Sequence, residues 1–408
     1  METKFLISKC SLIPSEGSSL KQNYDIVRGN PIIDYYESVE SPSIALTITF
    51  VDIDQVIGRE GITGGEYVDV TVKIDGFDDF KIKSKKHKLM LNSVKNMVTE
   101  TSKQFASLEF VSVESIINET ARVNKKFTDN VSQTIFELLI GDKKGIKTSK
   151  KLDKDRAANR YSFVGNLKRP FDTIQWLCPK TQASKDSFGF LFYENFDGYH
   201  FKSIKSLLEQ DAFEYKQADK NIGTNAIILH SNLNQTNDIG LNLRMGMYAN
   251  RTLFIDLEEH TLKEVDYKVE ELGLSDPPKI ANELETYPTR LMLKASDVGV
   301  SQKGSEKKDK QPKTELDERK NKSYIRNNLL FSQSIKISTP LNPDLRVGQM
   351  IEIKLPFKKG DGDKETDSYG NDKTNDASGK YLISGLRQLI GGGKSESQLT
   401  LIRDVFSA

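Results

Sequence analysis

Four histidines, His87, His200, His230 and His260, are the residues of this chain best suited to proton transfer or metal ligation near neutral pH. None has a partner at the i+3 or i+4 spacing that sets two ligands on one helical face, so each is expected in the core or in solvent. Asp52-Ile-Asp54 and Glu258-Glu259-His260 bring carboxylates close together, and paired carboxylates driven to different pKa values can serve as general acid and base. In an extended segment neighbours point to opposite faces, so Glu258 and Glu259 would diverge while Asp52 and Asp54 could share a face. A solvated acidic edge accounts for both. Gly61-Ile-Thr-Gly-Gly65 and Gly391-Gly-Gly-Lys394 lack the Walker and dinucleotide patterns and read as hairpin turns.

The nucleophile elbow Gly-x-Ser-x-Gly is absent, and no Ser-His-Asp set can be assembled from spacing. Cys10 and Cys178 stand far apart without a neighbouring histidine, which gives neither a disulfide framework nor a zinc site. Lys81-Ile-Lys-Ser-Lys-Lys-His-Lys88 is a local basic patch with too few aromatic residues for base stacking, and it reads as a solvated strand end or protein-docking surface. No catalytic, cofactor-binding or metal residue is named, and the chain is expected not to be an enzyme.

The elements around these residues change character along the chain. Ser43 to Phe50 and Tyr67 to Ile74 alternate apolar and polar side chains with the period of half-buried strands. Asp75-Gly76 turns the chain toward Phe80 to Lys83, and Ala106 to Ser112 adds a further strand. From Ser115 the spacing turns helical, with Val131, Ile135, Leu138 and Leu139 ending at Gly141-Asp142. Pro170 starts a short helix that carries Ile174 and Leu177 on one face and ends at Pro179. Phe188 to Phe201 reads as an aromatic hairpin, and Ser203 to Leu208 as another short helix.

Asn225 to His230, Gly240 to Tyr248 and Thr252 to Leu257 are strand-like, while Lys263 to Glu271 has no readable period. Residues 301–322 and 360–379 are too polar to offset the entropy of ordering and are expected as exposed loops. Strand patterning returns in Gln333 to Ile337, Gln349 to Leu355, Gly379 to Ser384 and Ser397 to Arg403.

At 408 residues the chain exceeds one ordinary core, given roughly 150 residues per domain. Its 59 lysines and arginines balance 58 aspartates and glutamates, so the basic footprint of a phosphate-gripping protein is missing. No stretch reaches the roughly 18 apolar residues of a membrane span, and Met1 to Leu12 lacks the form of a secretory signal. Folding in the cytoplasm without membrane insertion is expected.

In order and content these segments resemble the hub subunit at the centre of the baseplate in T-even-like contractile-tailed phages. The resemblance rests on Gly29 to Asp52 with Gly64-Gly-Glu-Tyr-Val68, on Phe163-Val-Gly-Asn-Leu-Lys-Arg-Pro-Phe171 with Ile174 to Leu177, on Phe188 to Leu208, and on Gly379-Lys-Tyr-Leu-Ile383 with Leu399 to Arg403. It implies an α+β, mainly β fold, in which two small antiparallel, tail-tube-like β-barrels carry an inserted α+β domain. The expected divisions are 1–114 for the first barrel, 115–213 for the α+β domain, and 214–300 for a β-rich segment of the second barrel and an accessory domain. A charged loop at 301–330 and the rest of the second barrel at 331–408 complete the chain.

The family also implies a homotrimer whose paired barrels form a pseudo-sixfold ring in the virion tail baseplate. Its partners would be the central spike protein, the tail tube or tube-initiator protein and other baseplate proteins. DNA would pass through the bore without specific binding, which suits a near-neutral chain. Two rivals stay open: a tail-associated cell-wall hydrolase, and a carbohydrate-binding adhesin that exposes Tyr193, Phe196 and Tyr199.

Overall fold

The structure, a computed structural model, describes residues 3–62, 64–99, 104–141, 145–184, 187–217, 227–235, 238–257, 260–272, 287–296, 313–355 and 377–403. Strands β1 (Phe5–Ile13), β2 (Ile32–Ser38) and β3 (Ala45–Val51), a short helix α1 (Val56–Glu60), and strands β4 (Tyr67–Ile74), β5 (Leu89–Thr99) and β6 (Gln104–Ser112) form the first β unit. Alternation decides which face is buried: Leu46, Ile48 and Phe50 of β3 and Val68, Val70 and Val72 of β4 point inward, while Thr47 and Thr49 stay at the surface.

An α+β unit follows, with α2 (Val113–Thr120), α3 (Val131–Phe136), α4 (Pro170–Leu177) and the hairpin β7 (Phe190–Asn195) and β8 (Gly198–Ser203), closed by α5 (Ile204–Leu208). Asn130 and Ser203 cap α3 and α5 by accepting the N–H groups of Ser132 and Ser206, and Pro170 occupies the first turn of α4. The π-helical turn Glu137–Gly141 extends α3 so that Leu138 and Leu139 join its core.

Strands β9 (Ala212–Gln217) and β10 (His230–Gln235) then begin the second β unit. An accessory unit interrupts it, made of α6 (Ile239–Met245), β11 (Ala249–Asp256), β12 (Thr261–Lys268), β13 (Arg290–Ala295) and α7 (Lys313–Leu330). The second β unit resumes with β14 (Gln333–Pro340), β15 (Met350–Lys354), β16 (Gly379–Gly391) and β17 (Lys394–Arg403). Residues 227–228 pair with β9, β10 pairs with β14, and Leu229 N–H donates to Ser338 O at 2.7 Å between them.

The two β units share one sheet. Strand β16 runs antiparallel to β2, with Ile390 opposite Ile33 and Gly385 opposite Ser38, so a single 15-stranded sheet crosses from one core to the other. Each side keeps its own hydrophobic cluster, and Ile390 and Leu341 of the second unit are buried in the first.

Three segments that the sequence reading assigned or left open are resolved differently here, and strands β1, β2 and β5 and helix α1 are additions to it. Gly240 to Tyr248 is mostly helix: Asp238 caps Leu241 N–H, and Gly246 in a left-handed conformation ends the element. Lys263 to Glu271 is strand β12 followed by a 3₁₀ turn, its period blurred because seven residues in eight of β12 are at least partly exposed. The expected charged loop at 301–330 is helical over 313–330, while 301–312 lies outside the described residues. Lysine, glutamate and arginine are good helix formers, and the anchors Ile325, Leu329 and Leu330 come only in the last turns, so the charged part carries no readable apolar period. The polar segment 360–379 lies outside the described residues up to 376. Among the described residues no helix is long and apolar enough to cross a membrane.

Candidate functional site

The tip of the β7–β8 hairpin is where three units meet. A tight turn, Asn195-Phe-Asp-Gly198, is set by Asn195 Oδ1 accepting Asp197 N–H at 3.0 Å. Gly198 has φ +139, and a Cβ there would meet Lys151 O at 2.4 Å, so the close approach of the parallel strand 151–154 requires glycine. This turn presents Phe196 to the first β unit. Its ring lies 5.3 Å from Phe80, 6.3 Å from Tyr35 and 4.4 Å from His87, and the Arg346 guanidinium of the second β unit covers it at 4.6 Å.

Glu37 ties the same three units together through hydrogen bonds. Its fully buried carboxylate accepts Tyr35 O–H at 2.7 Å, Phe196 N–H at 2.7 Å and Val347 N–H at 3.0 Å. Burial pushes its pKa up to about 7, outweighing Arg346 and these donors, which pull it down. The Tyr35 hydroxyl is raised well above its ordinary value by the same burial and by the Glu37 charge.

A second buried cluster lies behind the hairpin. Lys150 Nζ donates to Glu114 Oε2 at 2.7 Å and Glu194 Oε1 at 2.6 Å, with all three side chains at most 7% exposed. Ser112 O–H at 2.5 Å and Ile44 N–H at 3.1 Å satisfy the other oxygen of Glu194, and Thr148 O–H donates to Glu114 Oε1 at 2.6 Å. Burial raises the Glu194 pKa against the pull of Lys150. This is a converging acid pair that adjacent residues could not reveal, since Lys150 stands 36 and 44 residues from its partners. With both oxygens of each carboxylate engaged and all three side chains nearly buried, the arrangement clamps α2 to β7, and Lys150 and Glu194 also border the cleft beside the hairpin tip.

A cleft of about 790 Å³ opens beside the hairpin tip, lined by His87, His200, Lys85, Lys151, Asp153 and Asp197 among others. His87 Nδ1 accepts Lys83 N–H at 3.0 Å, and burial lowers the pKa of His87 and His200 alike to about 4, so both imidazoles are neutral near pH 7.

The residues weighed from the sequence are scattered. His230 and His260 are exposed and distant in the chain from this cluster. Asp52 is buried, not a solvated edge: it caps α1 by accepting Val56 and Ile57 N–H at 3.1 and 3.0 Å, while Asp54 is exposed. Glu258 and Glu259 lie outside the described residues. Cys10 and Cys178 are buried free thiols whose pKa values burial pushes up to about 12. Gly391, Gly392 and Gly393 turn the β16–β17 hairpin with positive φ. Lys81 is paired with Asp79 at 2.8 Å, and His87 from the same run is 6% exposed. Tyr193 and Tyr199, expected as exposed aromatics, are 2% and 0% exposed: β7 is buried on both faces, Tyr193 in the core of the second β unit and Tyr199 of β8 in the α+β core, and Phe196 is packed as described.

Sequence reasoning missed Glu37, Arg346 and Lys150. Glu37 and Arg346 meet partners in other units, 159 and 310 residues away for Glu37, and Lys150 meets partners of its own unit 36 and 44 residues away; no local pattern signals such pairs.

No family model matches the chain, and no curated protein matches it. Among solved structures, it is similar along its whole length to a tail protein from Neisseria meningitidis MC58, at 11% identity and a TM-score of 0.56, with 97% of this chain and 96% of that one covered. It is also similar to the 43 kDa tail protein of prophage MuSo2 from Shewanella oneidensis, at 9% identity and a TM-score of 0.54, covering 98% and 99% of the two chains. At these identities the likeness is one of fold.

Proposed function

We propose that this chain is a structural hub subunit of a phage contractile-tail baseplate. Three copies form a pseudo-sixfold ring that joins the central spike to the tail tube and encloses part of the DNA channel. The observation that carries the reading is the edge-to-edge joint of two β units through β16 and β2, with Glu37, Phe196 and Arg346 locking it. A ring that meets a threefold spike on one side and a sixfold tube on the other needs each subunit to supply two similar blocks at a fixed angle. The full-length likeness of fold to two tail proteins supports the same role.

In this reading the two β units are small tail-tube-like barrels. The return of the chain through 227–235, pairing with β9 on one side and β14 on the other, supports that architecture for the second unit. The subunit acts by shape and not by catalysis, and it is placed in the virion tail after assembly in the host cytoplasm. Other baseplate proteins would dock around the ring, and the balanced charge would let DNA pass without being held.

Negative-stain imaging of the purified chain tests the proposal. Rings with threefold symmetry and six lobes around a central hole are expected. Isolated particles of one chain that persist after the spike from the same genome is added would contradict it.

A further inference from the structure

The basic run Lys81 to Lys88 folds into a compact turn on the cleft of about 790 Å³ beside the β7–β8 hairpin tip. Lys83 O accepts the N–H groups of Lys86 and His87 at 3.0 and 2.8 Å, and Lys83 N–H donates to His87 Nδ1 at 3.0 Å. Ser84 N–H donates to Asp69 Oδ1 at 2.7 Å. The turn is therefore held in place before any ligand arrives, with Lys85, Lys86 and His87 lining the cleft. Lys151, which opens the strand that runs parallel to β8, lines it from the α+β unit.

Charge on this cleft is unbalanced. Its carboxylates are engaged: Asp153 with Lys202 at 2.7 Å, Asp197 with Arg346 at 3.5 Å and Glu194 with Lys150 at 2.6 Å. Lys85, Lys86 and Lys151 have no carboxylate partner among the described residues, and the Lys86 ammonium lies 5.8 Å from the Phe196 ring centre. Because His87 Nδ1 accepts, the neutral imidazole carries its proton on Nε2, and that N–H is buried with no acceptor among the described residues. A buried donor left unpaired is costly, so His87 calls for an acceptor. Ile44 and Phe196 are the only apolar side chains in the lining, and no arginine is among them.

We infer that this cleft binds a small phosphorylated molecule, whose phosphate oxygens accept from the ammonium groups of Lys85, Lys86 and Lys151 and from His87 Nε2–H. The polar walls give an apolar ligand little surface to bury. Separate point donors suit a tetrahedral oxyanion approached from several sides, whereas a planar carboxylate is matched best by the fork of an arginine. His87 Nε2 is closed from water, so the long, exposed Lys86 side chain turns from the Phe196 ring to the phosphate as the ligand enters and bares the imidazole edge. The inference goes beyond the hub reading and does not depend on the ring, so the two fail separately.

Inorganic triphosphate is the probe, titrated by calorimetry into the full chain at an ionic strength of about 0.15 M. Citrate and a single-stranded DNA oligonucleotide are the comparison ligands. Saturable binding of triphosphate is expected, with citrate weaker by roughly tenfold or more. The oligonucleotide should be weaker by a similar factor, because each of its phosphodiesters carries a single charge. Lys85→Gln with Lys151→Gln should weaken triphosphate by roughly tenfold or more. The chain has four histidines, so their ring nitrogens can be told apart by NMR, and the Nε2 signal that disappears in His87→Gln should move when triphosphate is added to the unaltered chain. Absence of saturable binding, citrate or the oligonucleotide binding as tightly as triphosphate, no loss in the lysine variant, or a stationary His87 signal would each overturn the inference. The ligand comparisons use the unaltered chain, so they decide the matter even if a variant folds poorly.

Discussion

Arg387 grips Asp34 across the seam between the two β units, with Nε donating to Oδ1 at 2.8 Å and Nη2 to Oδ2 at 2.5 Å, although the residues stand 353 apart in the chain. The guanidinium also covers the Tyr36 ring at 5.6 Å. The paired geometry is specific, but Arg387 is 37% exposed, so solvent screens much of the attraction. Asp34→Ala should therefore cost about 1 kcal/mol, measured as a shift in the urea midpoint with the slope unchanged. A loss several times larger would mean that the seam depends on this pair more than on its main-chain ladder.

Lys150→Met should be far more damaging, by about 3–5 kcal/mol, because it leaves Glu114 and Glu194 buried side by side without a cation. Adding Glu194→Gln to that variant should recover part of the loss. If the single substitution were as mild as one at the surface, the cluster would be hydrated and not a clamp. Urea unfolding of the three proteins checks this.

Glu37 gives the joint a signed pH dependence. Its pKa in the fold is about 7, raised from 4.5, so the fold favours the protonated acid. The associated stability is fully present below about pH 4.5 and is lost as the pH rises through 7. His87 and His200, lowered to about 4, act in the opposite sense: their contribution is present above about 6.5 and lost as the pH falls toward 4. The difference between the melting temperatures of the native chain and Glu37→Gln, followed from pH 5 to 8, isolates the carboxylate. The native chain should lose stability relative to the variant as the pH rises, and a flat difference would show that Glu37 does not titrate in this window.

Gly348 packs the second β unit onto the hairpin. A Cβ there would sit 2.0 Å from the Tyr193 hydroxyl oxygen, and its φ is +84. Gly348→Ala should cost about 2 kcal/mol or more, since strain and overpacking add. Tyr193→Phe should relieve part of this, but not all, because the ring carbon beneath the hydroxyl is only 2.8 Å away. Thermal melts of the single and double variants measure the coupling.

Much of this fold can be read in the residues because it rests on short-range pattern. The alternation of Tyr67 to Ile74 matches its strand end to end, and Pro170 with Ile174 and Leu177 marks α4. Helix α7 was hidden because its apolar anchors are few and late. Strands β1, β2 and β5 and helix α1 of the first unit give no clear signal of their own, α1 because Asp52, which accepts its first N–H groups, looks like an acidic edge until those hydrogen bonds are seen. The joint could not be read at all. Glu37 is an ordinary polar residue in a strand, and only the folded chain brings Phe196 and Val347 to it.

The most direct test of the hub reading is the native mass of the purified chain by light scattering, alone and mixed with the spike protein from the same genome. A mass three times that of the chain, or a single chain that becomes a three-to-three assembly with the spike, is the predicted result. A chain that remains monomeric and ignores the spike would contradict the account.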